Sequence, residues 1–363
     1  ISIYAGDLEE MYKPEIKKIK ASEFTTKYGS FKWGGANKRV AMSTTSKLFD
    51  YKIRESIAYF DSEGEVKRLY AWIYNRGDDG PMSQEKFETY YGKILTELET
   101  YYKVKPKKSG ISGATRSTAY TFTLSHGNDI SLLVGFEKRP YRADFLCLVM
   151  RNYDDKRARG SAASEKFVTT KDNGDVIIDK IPMIDQGPKG YCVPATLARI
   201  GQHYGVDISM HEIAMISDSS SGGGTIPAVA MKSLSKNYAR VKLKIREINM
   251  KTPDPHRMTK SAANDLSESI DDDDSKVMRL HKEVKKRIDK GFMLAWSMVV
   301  GLLPENGKPA MQGGGGHMRM IIGYNEAKKE IIFSDSWGAG HEIKRLPLKS
   351  AYIVTSGLWE IIP

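Results

Sequence analysis

The stretch DQGPKGYCVPATLARIGQHYG holds Cys192, one of two cysteines in 363 residues, in a setting that can make a thiol reactive. The apolar residues after it, Val193, Leu197, Ile200 and Tyr204, fall at helical spacing, and Gly205 suits the helix end. A helix N-terminus lowers a thiol's pKa by presenting unpaired N–H groups, and a neighbouring imidazolium lowers it further. Gly187, Pro188 and Gly190 suit a tight turn with little bulk, which leaves the sulfur open. A nucleophile also needs a base, and the base needs an orienting partner.

Seven histidines are candidates for that base. His203 lies three turns along the same expected helix, out of reach, and His211, His256 and His281 are expected to be solvated. His317 follows a run of four glycines and opens an apolar strand, HMRMIIGYN. Gly315 and Gly316 let another backbone, such as a substrate's, approach. Asp335 ends the next strand, in FSDSWG. In an antiparallel pair turning at NEAKKE, the start of one strand faces the end of the other, so His317 and Asp335 become neighbours. Acyl transfer further requires oxyanion donors; the Cys192 N–H and the Gln186 side-chain amide suit that role. Cys147, in ADFLCLVM, reads as a core residue, and two cysteines make no disulfide framework.

The bulk properties bound the alternatives. No run of 18 apolar residues exists, so no integral membrane segment is expected. The net charge is +11, with +7 of it in the first 160 residues. The cations are scattered and no nucleic-acid motif surrounds them, so a solvated basic surface is expected and no nucleic-acid partner. The DDDD run lacks the spaced ligands of a calcium loop, and neither a metal nor a cofactor is expected. The chain begins at Ile1, not Met, which gives the expectation of a removed N-terminal segment and a secreted or extracytoplasmic protein. Oligomeric state is not legible.

Two domains are expected, residues 1–170 and 171–363, divided by the charged, small-residue stretch before residue 176. In the first, residues 1–45 are weakly periodic. YKIRESIAYFD with EVKRLYAWIYN, and AYTFTLS with DISLLVGFE, read as β-hairpins. Ser83 caps a helix, and ADFLCLVMRNY is a further strand, together an α+β unit. In the second, SMHE is a capping box opening a short helix. SDSSSGGGT reads as a flexible loop, and residues 250–275 as a polar insertion. SKVMRLHKEVKKRIDKG is a helix; FMLAWSMVV, HMRMIIGYN and EIIFSDSW are successive strands, followed by AYIVTSGLWEII.

Taken together, QGPKGYC before a helix, GGHMRMIIGYN and DSWG resemble the papain-like cysteine peptidases. The likeness is greatest to the bacterial branch of double-glycine, bacteriocin-processing leader peptidases, and it covers residues 178–363. The resemblance implies a helix-borne cysteine packed on an antiparallel sheet. It implies a nucleophile at Cys192, a general base at His317, an imidazole-fixing acid at Asp335 and an oxyanion glutamine at Gln186. It also implies that Trp337 shields the His–Asp hydrogen bond from water. Gly190, Tyr191, Gly315, Gly316 and Trp337 are then expected to line the path of a peptide or protein substrate. Papain itself has Asn where Asp335 stands and CGSCW where this chain has GYCVPA. The Cys–His separation of 125 residues is near the spacing of about 130–150 in papain-type enzymes. Other thiol acyl transfer (an amidase or a transglutaminase-like enzyme) and a catalytically inactive binding protein are the alternatives. Residues 1–170 resemble no family; a regulatory or substrate-recruiting role is expected of them.

Overall fold

The computed structural model describes residues 8, 12, 16, 19–33, 40–61, 63–111, 117–124, 129–138, 141–151, 167–187, 190–206, 208–217, 219, 224–306 and 314–363. The chain divides into two compact units, residues 1–157 and 158–363.

In the first unit, α1 (Ala21–Lys27) precedes β1 (Lys32–Trp33), β2 (Val40–Ser43), β3 (Lys47–Leu48), β4 (Tyr51–Lys52), β5 (Glu55–Phe60) and β6 (Val66–Asn75). Then come α2 (Arg76–Asp79), α3 (Gln84–Tyr102), β7 (Lys107–Ile111), β8 (Ser117–Thr123), β9 (Asp129–Lys138) and β10 (Tyr141–Arg151). Eight of the described strands form an antiparallel sheet ordered β1-β2-β5-β6-β10-β9-β8-β7. The Ser83 hydroxyl caps α3 by accepting from the Lys86 N–H, and Phe87, Ile94 and Leu98 form the helix's buried stripe. They join a core that includes Leu69, Leu132 and Leu146, each such side chain contributing roughly 1.5–3 kcal/mol by burial. The weak periodicity of residues 1–45 hides α1. The helix is only two turns long and is held by packing, with Phe24 edge-on to Phe31 and Phe60. Between AYTFTLS and DISLLVGFE, residues 125–128 lie outside the described residues, and Asp129 opens β9.

In the second unit, β11 (Val168–Thr170) and β12 (Asp175–Ile178) lead to α4 (Cys192–His203), α5 (Met210–Ile216), α6 (Pro227–Lys236), α7 (Tyr238–Val241) and β13 (Lys244–Glu247). There follow α8 (Lys260–Ser269), α9 (Ser275–Ile288), β14 (Leu294–Val300), β15 (Gly315–Asn325), β16 (Glu330–Ser334), β17 (Lys344–Pro347), α10 (Leu348–Val354) and β18 (Thr355–Ile362). The strands form one antiparallel sheet, in which β15 pairs with β14, β12 and β16. Gly323 is needed where β12 crosses β15, because a Cβ there would stand 2.4 Å from the Val176 carbonyl oxygen. Helices α4 and α9 both pack on β15.

The capping box of α5 is reciprocal: Ser209 N–H donates to the Glu212 carboxylate and Glu212 N–H to the Ser209 hydroxyl. Three expectations are corrected. Residues 250–275 carry α8 and a 3-10 turn at Pro255–Arg257, because Thr259 and Asp254 supply N-caps to a segment with little apolar signal. The run AYIVTSGLWEII divides at Val354 into a helix end and a strand, with Pro347 at the helix start. His211 and His281 are buried, at 0% and 7% exposure, and not solvated. They sit on the inner faces of α5 and α9, with Tyr191 and Tyr324 rings against them. The loop SDSSSGGGT falls largely outside the described residues.

Candidate active site

Cys192 is the first residue of α4, with Tyr191 as N-cap. Its own N–H is therefore one of the four with no partner inside the helix. The helix is buried along most of its length, which fixes the position of that N-terminus. Thr196 reinforces the contact with β15 by donating its hydroxyl to the Met318 carbonyl at 3.4 Å. Cys192 is partly exposed and in no disulfide. It is within hydrogen-bonding reach of His317 and of the Met318 and Val193 N–H groups.

His317 is the third residue of β15, and Asp335 directly follows β16. The register pairs Met320 with Ser334, so the start of β15 lies beside the residues after β16. His317 Nε2 is 2.7 Å from Asp335 Oδ1. A carboxylate only accepts, so Nε2 carries the proton and Nδ1 is left for the thiol. Trp337 stacks on the imidazole, with ring centroids 4.7 Å apart and planes inclined by 27°, and covers the His317–Asp335 bond. Cys192, His317 and Asp335, from three elements, thus form one contiguous chain.

The charges reinforce this order. Burial pushes the Cys192 thiol up, but the hydrogen bond and charge of His317, with the two N–H groups, hold it below its ordinary value. Burial pushes the His317 imidazole down, but Asp335 and the sulfur together raise it above its ordinary value. Burial opposes ionisation of Asp335 too. His317, Arg319 and Lys344 nonetheless keep its carboxyl well below the usual carboxylate range. The three directions agree on a thiolate–imidazolium pair backed by a carboxylate.

Gln186 is 8% exposed and is pinned at both ends. Its N–H donates to the Ser336 carbonyl at 2.8 Å, and the Ser336 hydroxyl donates to its Oε1 at 2.7 Å. A donor at Oε1 fixes which end of the amide is the NH2, so that donor points away from Ser336. Just before it, the Asp185 carboxylate accepts from the Gly187 N–H at 2.8 Å. That carboxylate reaches the Trp337 loop because Gly338, at φ +83°, has no side chain; a Cβ there would lie 2.6 Å from Asp185 Oδ2.

Sequence reading misses the charges behind this chain. Arg199, two turns past Cys192 and 1% exposed, donates to the Pro182 carbonyl at 2.8 Å, the Asp335 carbonyl at 2.6 Å and the Ser334 hydroxyl at 2.6 Å. One side chain thereby ties the nucleophile's helix, the segment leading to Gln186 and the strand ending at Asp335. Burial lowers its guanidinium to about 10, still cationic at neutral pH. Arg319 has no exposed surface and donates to Asp335 Oδ2 at 2.9 Å. Its far side grips Glu305 at 2.7 and 3.1 Å. A signal existed for Arg319, a cation two residues from His317 in an otherwise apolar strand. None existed for Arg199, which lies off the Val193–Leu197–Ile200–Tyr204 stripe, where a solvated arginine is ordinary.

The expected substrate-facing residues are not alike. Gly315 and Gly316 are exposed at the start of β15, and a Cβ on Gly316 would lie 3.4 Å from His256 of the 3-10 turn. Gly313 lies outside the described residues. Gly190 is partly exposed, with its carbonyl 3.5 Å from the Thr225 hydroxyl. Trp337 is partly exposed. Tyr191 is fully buried with its ring against His211, so its side chain has no face left for a substrate. Among the described residues no cluster of His, Cys, Asp and Glu could hold a metal ion. Among the same residues no helix is long and apolar enough to cross a membrane.

The peptidase C39-like family matches residues 178–360, half of the chain. No curated protein matches. Xylellain, a cysteine protease from Xylella fastidiosa, is similar at 14% identity and a TM-score of 0.31, over 55% of this chain and 93% of that one. The chain belongs to the peptidase C39-like family and is a cysteine-type peptidase of the papain-like superfamily.

Proposed function

We propose that the protein hydrolyses peptide bonds with Cys192 as nucleophile, His317 as general base and acid, and Asp335 as the group that orients the imidazole. The Cys192 thiolate attacks the scissile carbonyl carbon, and the carbonyl oxygen takes the negative charge. The Cys192 N–H and the Gln186 amide donate to that oxygen. His317 Nδ1 gives its proton to the leaving amine, which departs as the acyl-enzyme forms. Water then attacks the thioester, passing a proton to Nδ1, and the carboxylic acid leaves as Cys192 is restored. Asp335 keeps Nε2 protonated throughout, so the working nitrogen always faces the sulfur. Trp337 keeps water from competing for that bond.

The observation that carries this reading is Cys192 at a helix N-terminus, acting on a His317 that is bonded to Asp335, with a fixed glutamine on the segment before it. A peptide library profiled with wild type beside Cys192→Ala tests it. New termini should form only with wild type, and Cys192→Ala should retain the wild-type melting temperature. Cleavage by folded Cys192→Ala contradicts the reading; acyl transfer to an added amine in place of water would redirect it to a transferase.

The unit of residues 1–157 is read as recruiting or regulating. Its positive charge excess suits an anionic partner. Activity of residues 158–363 alone, compared with the full chain, separates the two roles: a gain signals inhibition, a rise in KM signals recruitment, and no change counts against both.

A further inference from the structure

Behind the proposed triad lies a second pair of charges that acid–base chemistry at Cys192 does not itself require. Asp335 Oδ2 accepts from Arg319 Nε at 2.9 Å and Lys344 Nζ at 3.4 Å, while Oδ1 serves His317 and the Ser336 N–H at 2.9 Å. Arg319 is wholly buried, yet its other nitrogens are not left to solvent; Glu305, on the segment after β14, takes both in a fork. The guanidinium carbon lies over the Phe333 and Trp337 rings, 4.7 and 5.4 Å from their centroids. Met298 of β14 adds a sulfur contact at 3.4 Å. The result is a line of alternating charge: Glu305, Arg319, Asp335, His317, Cys192.

The geometry points to Glu305 and Arg319 as positioning residues that set the strength of the thiolate–imidazolium pair by controlling how much of the Asp335 charge His317 feels. The inference rests on the reading of Cys192 and His317 above. An arginine on Oδ2 draws the carboxylate's charge away from the imidazole. A carboxylate on the arginine's far side restores it. Asp335 is then an anion in chemistry and partly neutralised in its field. A buried guanidinium without Glu305 would overcorrect, and that would account for the fork.

The other charges around this line are few. Lys344 of β17 bears on Asp335 from the same side as Arg319 and sits 4.5 Å over Trp337. Arg199 of α4 reaches the Asp335 carbonyl and not its carboxylate, and Glu342 acts on Arg199. His341 stands 5.6 Å from Trp337, and His256 of the 3-10 turn stands by Gly316. Lys344 also feels the Glu305 charge, so changing Glu305 frees both cations on Asp335 Oδ2 in the same direction.

The test is the pH dependence of Cys192 alkylation by iodoacetamide in the full chain, followed by mass spectrometry of the Cys192 peptide, beside the pH profile of kcat/KM. Glu305→Gln leaves Arg319 uncompensated. It should weaken the imidazolium and move both limbs of the profile to lower pH, by about half to one pH unit for one charge roughly 10 Å away. Arg319→Gln should move both limbs upward and lower kcat, and the double variant should return the limbs to near wild-type positions with kcat still reduced. Unmoved limbs in folded Glu305→Gln, or a shift upward, overturn the inference. Arg319 is deeply buried, so if Arg319→Gln does not fold, Glu305→Gln alone decides. Alkylation reads the thiolate whether or not peptides are cleaved. A shift in alkylation without any peptidase activity would therefore retain this inference and reject the function proposed above.

Discussion

Two buried aspartates lie near opposite ends of the β15–β16 hairpin, and each is held by arginine. Asp175, at the start of β12, receives both terminal nitrogens of Arg345, the Asn325 amide at 2.7 Å and the Asn173 amide at 2.9 Å. Asp335 receives Arg319, Lys344, the Ser336 N–H and His317. Both carboxyls are held far below their ordinary range: Asp175 by the Arg345 hydrogen bonds, Asp335 by cations that overcome its burial. The difference is the partner's chemistry. Every group on Asp175 keeps its proton at neutral pH, so the cluster can only hold β12, β15 and β17 together. One group on Asp335 is an imidazole, raised above its ordinary value by that carboxylate, that can gain and lose a proton and bears on a thiol. A depressed carboxylate therefore does not by itself mark a site; what it holds does.

The comparison can be broken by exchanging the consequences. Asp335→Ala should lower kcat/KM by about 10²–10⁴-fold, since the imidazole loses the partner that orients it for proton transfer. Asp335→Asn keeps an acceptor for Nε2 and should lose less. It leaves Arg319 and Lys344 facing a neutral group, so its melting temperature should also fall. Next in size, Asp175→Asn should cost about 2–3 kcal/mol of stability, read by urea denaturation, because Arg345 loses a partner in a largely buried cluster. Its kcat/KM, measured well below the melting temperature, should stay within about twofold of wild type. A large activity loss in Asp175→Asn, or none in Asp335→Ala, would erase the distinction.

The smallest effect is the pH dependence of stability. Asp175 has a folded pKa depressed below its unfolded value. Its contribution is therefore present above the unfolded value of about 3.9 and is lost as pH falls toward the folded one. The stability gap between wild type and Asp175→Asn should accordingly shrink below about pH 4 and be flat from pH 5 to 8. His317 has the opposite sign: its folded pKa is raised, so its contribution is present below the unfolded value of about 6.5 and lost as pH rises through the folded one. Asp175→Asn should leave that alkaline change untouched, while Asp335→Asn should diminish it.

What the sequence makes legible follows from how local the signals are. Cys192 can be placed because its helix has a clean apolar stripe and a glycine stop, and the His317 strand because its apolar run is long. The pairing of His317 with Asp335 is readable because a short turn joins their strands. Gln186 stands out by its nearness to Cys192, but its pinning by Ser336 arises from residues 150 positions apart. Arg199 looks like an ordinary solvated residue off the apolar stripe until the Pro182 and Asp335 carbonyls meet it. Glu305 sits in a segment without periodicity and gains meaning only from Arg319. Helix α1 and the 3-10 turn at Pro255 escape notice for the same reason: packing and capping hold them, not pattern. Tyr191 misleads, because the residue beside a nucleophile need not face the cleft; its ring turns inward to His211.

The proposed chemistry turns on Cys192 being held as a thiolate by His317. The most direct measurement is the rate of iodoacetamide alkylation of Cys192 against pH in wild type and in His317→Ala, with unfolded chain as the reference. Folded wild type should label fast well below pH 8, where an ordinary thiol of pKa about 8.5 is protonated, and His317→Ala should return to ordinary behaviour. Labelling of wild-type Cys192 that rises only near pH 8.5, or a profile unchanged by His317→Ala, would contradict it.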